Sequence, residues 1–278
     1  MNGFYLIDKE KEWTSFDVCA KMRSILNTKK IGHTGTLDPF ATGLLVIAVG
    51  KCTKLIPFFE RARKTYVAEI VFGKKSESHD IDSEILEVDI SKEFSKKECE
   101  EALKKHFLGK IEQVPPRFSA IKINGKRACD RVRRGEKVNL IARGTEVFRA
   151  EILSFDFPTV KFELEVAAGF YVRSFARDLA KHFQTSAICE SLRRTQINDI
   201  SVDDAEKINE VSSPIDPKIL LPNIPHCEIE TGRIQDFVAG RCFPFPGVEK
   251  EKMLVLCGGK TVGVGEIICG KLQPRSVI

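Results

Sequence analysis

The sequence predicts an α+β fold: a mixed, mostly antiparallel sheet flanked by helices, followed by a small β-barrel-like module. Three observations carry that prediction. Strand signals outnumber the helices available to cross between them, whereas parallel strands need crossover connections. The dipeptide Asn124-Gly125 directly follows an apolar run, which marks a hairpin turn. Prolines cluster over residues 212–225, and beyond them come short apolar runs broken by glycine, the texture of a small barrel. The 278 residues therefore divide into a large unit over 1–213 and a small β-rich unit over 224–278.

Each element has its own local cause. Thr14 and Asp17 are spaced as a capping box ahead of Val18, Met22, Ile25 and Leu26, so a first helix runs over about 16–26. The apolar run 44–49 reads as a buried strand, and the looser alternation of 65–72 as another. Ser95 and Glu98 form a second capping box, before a helix that carries Leu103 and Phe107. Residues 118–123 lead as a strand into the Asn124-Gly125 turn, and two further strands occupy 146–156 and 159–166. Helical spacing returns over 172–183 and again over 187–193. In the last unit the apolar runs 253–257, 261–264 and 266–268 read as strands.

Composition narrows the function classes. With 42% hydrophobic and 30% charged residues the chain reads as soluble and globular. No apolar run is long enough to cross a membrane, and the charged first residues do not form a signal peptide. The nine cysteines include no C-x-x-C pair and their number is odd, which points to a reducing cytoplasm rather than a disulfide framework or zinc ribbon. The net charge of +5 is uneven: residues 110–149 hold eleven basic and four acidic side chains, a local +7, while 74–101 hold five basic and ten acidic. Such a basic block can track a phosphate backbone or be a solvated face. No P-loop occurs, and His79, His106, His182 and His226 lack ligand spacing, so neither cofactor nor metal is expected.

Residues 32–43 read G-H-T-G-T-L-D-P-F-A-T-G. Glycine allows backbone that other residues resist, and Pro39 pushes Asp38 away from helix. The segment thus restrains a single carboxylate. By residue type alone, Asp38 is a turn residue, His33 a hydrogen-bonded loop histidine, Tyr66 a half-buried strand tyrosine and Arg173 a surface arginine.

The loop nevertheless resembles the nucleophile motif of TruB-type tRNA pseudouridine synthases, and four further segments resemble that family in the same order. They are Lys64-Thr65-Tyr66, the run 113–128 (like Q-x-P-P-x-x-S-A-x-K-x-x-G-x-R-A), Gly169-Phe170-Tyr171-Val172-Arg173-Ser174, and Leu192-Arg193-Arg194-Thr195. The resemblance implies the pseudouridine synthase fold, and isomerisation of the T-loop uridine called position 55 in tRNA. It makes Asp38 the catalytic residue, Arg173 its partner, Tyr66 the base-stacking ring, Tyr171 and Leu192 walls of the uridine pocket, and His33 an RNA-docking residue. It implies the tRNA T-stem-loop as partner, no cofactor, no membrane, no obligate protein partner and a monomer. Gly240, Gly263-Val264-Gly265 and Leu272-Gln273-Pro274-Arg275 resemble a degenerate RNA-binding PUA module. The chain departs from the family at Cys129, where tyrosine is usual, and at Ala167-Ala168. Residues 76–80 lack the family's threonines and glycine, and no role is assigned to them.

Chemically, the rearrangement needs an ionised carboxylate beside the sugar. An arginine within about 4–6 Å lowers a carboxylate pKa by roughly one to three units, and a bidentate pair fixes its orientation. Asp38 with Arg173 is expected to meet both needs. A binding-only RNA chaperone, a nucleoside glycosidase and a guide-RNA-dependent relative of the family are the other readings compatible with these residues.

Overall fold

The computed structural model describes residues 2–90, 92–119, 121–123 and 125–278. Its centre is a nine-stranded sheet. In chain order the parts that matter are β1 (Gly3–Lys9), α1 (Ser15–Ile25), β2 (Ile31–His33), β3 (Thr42–Val49), β4 (Lys64–Phe72), α2 (Lys96–Ala102), β5 (Gly109–Gln113), β6 (Arg143–Asp156), β7 (Thr159–Val166), α3 (Val172–His182) and β8 (Ala187–Ile197). The spatial order is β1-β3-β8-β4-β7-β6-β5, with β2 paired to β3. β3 and β8 run parallel and the neighbours on either side antiparallel, so the sheet is mixed and mostly antiparallel, as the sequence predicts.

Both capping boxes form. Thr14 accepts from the Asp17 amide while the Asp17 carboxylate accepts from the Thr14 amide, and Ser95 with Glu98 does the same at α2. The helix over α2 then widens into a π-turn, Leu103–Phe107, which keeps Leu103 and Phe107 in the core. The central sheet is covered on both faces. Phe4, Leu6, Leu44, Val46 and Ala48 point to one side; Tyr5, Ile7, Leu45, Ile47 and Val49 point to the other, against Val18, Cys19 and Met22 of α1. A strand buried on both faces shows a continuous apolar run rather than alternation. That explains β3, and also β1, which the sequence reading does not contain.

Two expectations need correction. Residues 187–193 are not a helix: they lie in β8, between β3 and β4. A bulge between Cys189 and Ser191 shifts the phase. Cys189 and Leu192, both in the same core, thereby acquire the three-residue spacing of one helical turn although the backbone is extended. Residues 118–123 are not one strand. Only Lys122–Ile123 is extended, pairing with Lys126–Arg127 as a short hairpin; Ala120 and Asn124 of the expected strand and turn lie outside the described residues.

At the C-terminus, Lys250–Cys257, Lys260–Ile268 and Lys271–Val277 form the centre of a curled five-stranded sheet. The runs 261–264 and 266–268 are one strand, because Gly263 and Gly265 continue it where side chains would collide: a Cβ on Gly263 would lie 2.2 Å from the Ser276 carbonyl. This sheet packs on the central one. Leu254, Leu256 and Val264 share a core with Phe4, Leu44 and Val46, and Leu220 and Leu221 from the proline-rich segment fill the space between.

Gly43 opens β3 at φ 101°, and a Cβ there would sit 2.3 Å from the Arg194 carbonyl of the parallel neighbour. Gly43→Ala is expected to destabilise the fold by more than about 1 kcal/mol, since strain and collision act together. An unchanged urea midpoint would refute this close approach.

Candidate active site

The loop between β2 and β3 is tied down on both flanks of Asp38. Upstream, the Thr34 amide donates to the Val46 carbonyl at 3.0 Å. The Ser15 hydroxyl accepts from the Leu37 amide at 2.8 Å and lies 3.3 Å from the Leu37 carbonyl. Downstream, the Pro39 carbonyl accepts from the Glu12 amide at 2.8 Å and from the Lys9 ammonium at 3.3 Å. Lys9 is 1% exposed, and burial pulls its pKa down to about 8, with the Asp38 charge opposing. Strand alternation on β8 then separates two adjacent arginines. Arg193 turns outward to a two-pronged pair with Asp8 at 2.9 and 3.1 Å. Arg194 turns inward, 1% exposed, and its guanidinium clasps the loop from below, Nε donating to Leu44 O at 2.7 Å and Nη2 to Gly35 O at 3.1 Å.

Arg173 lies in the first turn of α3, whose entry is held by the 113–118 segment. The Gln113 side chain exchanges two hydrogen bonds with the Tyr171 backbone, and Val114 O accepts from Ser174 and Arg177. From there Arg173 reaches two carboxylates, where a single bidentate pair is expected. Its Nη2 donates to Asp38 Oδ1 at 2.7 Å and to Phe118 O at 3.0 Å. Its Nη1 meets Asp80 Oδ2 at 3.0 Å and Ser78 O at 3.2 Å. Asp80 is 2% exposed and is itself held by the Ser78 hydroxyl and the Asp82 amide. The segment without an assigned role thus supplies the second counter-charge for the arginine. Its signal in the sequence is an aspartate preceded at two and four positions by serines, Ser78 and Ser76, able to bond back to it.

Asp38, Tyr66, Tyr171, Arg173 and Leu192 line one cavity of about 340 Å³, together with Lys64, Ala168 and Arg194. Tyr66 on β4 stands opposite Arg194 on β8, and Leu192 opposite Ala68, so cross-strand pairing assembles this wall. Five of the six predicted site residues therefore meet. His33 does not line the cavity; it ends β2, opposite Ile47, one residue before the lining begins at Thr34. Among the described residues no group of three or more His, Cys, Asp or Glu side chains is arranged to hold a metal ion.

The electrostatics also differ from expectation. Burial raises the Asp38 carboxyl above its ordinary range and the Asp80 charge adds to this, while Arg173 and Lys9 pull it down without restoring it. Burial and the Asp38 charge likewise push the Tyr171 phenol up, so it stays protonated. A reaction that needs ionised Asp38 therefore fails, as pH falls, above the pKa near 3.9 of a free aspartate. Asp80→Asn removes a raising charge. It is expected to lower the plateau rate and move the acid limb of the single-turnover pH profile to lower pH; a limb that stays in place or rises would refute the coupling.

Comparison with known proteins places this geometry. A family model described as "TruB family pseudouridylate synthase (N terminal domain)" matches residues 23–172. The tRNA pseudouridine synthase B of Aquifex aeolicus is 34% identical over 289 residues, covering 100% of both chains. That of Lactococcus lactis subsp. lactis is 40% identical over 219 residues, 76% of this chain and 66% of the relative. Among solved structures, the archaeal box H/ACA sRNP Nop10-Cbf5 complex aligns with a TM-score of 0.71 at 19% identity, covering 99% of this chain and 85% of the other, a likeness of fold.

Proposed function

The chain belongs to the TruB family of pseudouridylate synthases, and from that premise we propose that it isomerises the T-loop uridine at position 55 of tRNA, with Asp38 as nucleophile on a flipped-out uridine. The observation that carries this reading is the single Asp38 carboxylate, bonded to Arg173 at 2.7 Å, at the wall of a cavity that also presents Tyr66, Tyr171 and Leu192. Conversion of uridine to pseudouridine breaks N1–C1′, turns the base and joins C5 to C1′. The proton on C5 is lost and N1 gains one, so nothing is oxidised, reduced or transferred from outside. Carboxylates attack sugar carbons in glycosidases, which gives Asp38 chemical precedent for attack at C1′. Attack at C6 and stabilisation of an eliminated sugar use the same placement.

The remaining roles follow the shape. An aromatic face suits a flipped base of any identity, which fits Tyr66 as stacking partner. Leu192 and Tyr171 close the sides. His33, outside the cavity, is assigned to docking the RNA loop. Arg117, Arg133, Arg134, Lys137 and Arg143 of the basic block are exposed and available to phosphates. The C-terminal sheet is assigned, as a PUA-like module over 224–278, to the same RNA, with 1–213 as the catalytic unit. Among the described residues no helix is long and apolar enough to cross a membrane. The proposed setting is a cytoplasmic monomer acting alone on tRNA.

The test is direct. Pure protein is incubated with an unmodified T-stem-loop, and pseudouridine is mapped by carbodiimide-blocked primer extension. A stop at the T-loop uridine is expected. A stop elsewhere, or none, overturns the assignment.

A further inference from the structure

Two cations in the cavity wall have no ion-pair partner among the described residues. Lys64 opens β4, two residues before Tyr66, so both side chains point to the same face of the strand. Its ammonium donates to Ala62 O at 2.7 Å. Arg194, on the facing strand, bonds the carbonyls of Leu44 and Gly35. Among the described residues neither forms an ion pair, although Glu60 and Asp38 line the same cavity. Asp38 is engaged by Arg173. Half-buried ammonium groups are ordinarily paired, because desolvation without a counter-charge is costly. Lys64 and Arg194 instead leave a net positive wall facing space that a ligand can enter.

We propose that this wall is an anion seat, in which Lys64 binds a backbone phosphate of the nucleotide whose base enters the cavity and Arg194 reinforces the field. This rests on the pseudouridine synthase reading and adds a positioning residue to it. Two residues along a strand span about 6.6 Å, comparable to the reach from a nucleobase to its own phosphate. A base lying on Tyr66 therefore brings its phosphate towards Lys64. The phosphate is the counter-ion that Lys64 lacks among the described residues, so it fixes the ribose relative to Asp38 through the far end of the nucleotide. Arg194 is spent on the loop carbonyls, which leaves Lys64, with two N–H groups beyond its bond to Ala62, as the direct contact.

The charge state of Lys64 supplies an independent readout. Burial lowers its pKa to about 8, and the Arg194 charge adds to the drop. Glu60 and Asp38, from the loops on either side, are the acids in the same cavity, with Tyr66 beside it. Phosphate binding favours the protonated amine. Affinity for RNA therefore weakens as pH rises through about 8, and Lys64→Arg, which keeps its charge, removes that dependence.

The test is a protein–RNA cycle read as binding and as single-turnover rate. T-stem-loops carry a neutral methylphosphonate at the phosphate immediately 5′ or immediately 3′ of the target uridine. One of the two is expected to bind the wild type roughly 10- to 100-fold more weakly than unsubstituted RNA, the range for losing a charged hydrogen bond. Lys64→Met should bind unsubstituted RNA weaker by a similar factor. It should show little further loss with that methylphosphonate, and its salt slope should be shallower by roughly one charge. Wild-type affinity unchanged by either methylphosphonate overturns the proposal, even if Lys64→Met fails to fold. So does an equal, additive loss in wild type and variant. Failure of the wild type to form pseudouridine in unsubstituted RNA would instead overturn the functional reading, which the binding arm does not test.

Discussion

Asp38→Asn is expected to lower single-turnover pseudouridine formation by at least about 10⁴-fold, while T-stem-loop affinity stays within about threefold. A factor of that size is typical when a nucleophile is removed from an otherwise intact site, and corresponds to about 5.4 kcal/mol in the barrier. The geometry says why the two readouts separate. The amide has nearly the same shape, and its oxygen still accepts from Arg173, which now sits 2.7 Å from Asp38 Oδ1. The loop keeps its anchors at Ser15, Lys9 and Arg194, none of which touches the carboxylate. What disappears is the negative charge and the nucleophilic oxygen. Product at the wild-type rate would end the assignment of Asp38, and a parallel loss of affinity would mean that the loop, rather than the chemistry, had been disturbed.

Arg173 is expected to show the second large effect, on rate and on stability. Arg173→Lys should slow catalysis by roughly 10²- to 10³-fold, as for loss of an oriented electrostatic partner. One ammonium cannot span the 2.7 Å contact to Asp38 and the 3.0 Å contact to Asp80 at once. Arg173→Met should also destabilise the fold by about 3–5 kcal/mol, the cost of leaving a buried charge without its partner. Asp80 carries that cost, because it is 2% exposed and cannot recover solvent. Asp38 retains 30% side-chain exposure and can. The double variant Arg173→Met with Asp80→Asn should therefore regain stability without regaining activity. Thermal or urea unfolding beside single-turnover assays separates the outcomes. Equal stability of Arg173→Met and wild type would mean that Asp80 is not held by this pair.

How far the site was legible varies by residue. Asp38, Tyr66, Tyr171, Arg173 and Leu192 are recognisable because each lies in a short motif, and all five do line one cavity. Asp80 was not recognisable, because residues 76–80 depart from the expected pattern and its partner is 93 positions away in the chain. Lys9 looks like an ordinary charged residue of a strand, and Lys64 and Arg194 lie inside two of the motifs without a role assigned to them. Their burial follows from β1 lying beside β3, and from β8 lying between β3 and β4. The same holds for the upward shift at Asp38. A motif predicts that an arginine is near; it does not say how deeply the pair is buried, and here burial is the largest influence.

Local chemistry alone determined the two capped helix starts, four strands of the nine-stranded central sheet, the restrained carboxylate loop and the family to which the chain belongs. Those features depend on neighbours within one or two turns, which a linear sequence displays. Only the tertiary structure decided that residues 187–193 are a strand, that Arg173 is shared between two carboxylates, and that Lys64 and Arg194 line the cavity with no ion-pair partner among the described residues. Each of these is a fact about residues brought together from distant parts of the chain. Pairing register and desolvation set them, and both come into existence only when the sheet closes over its core.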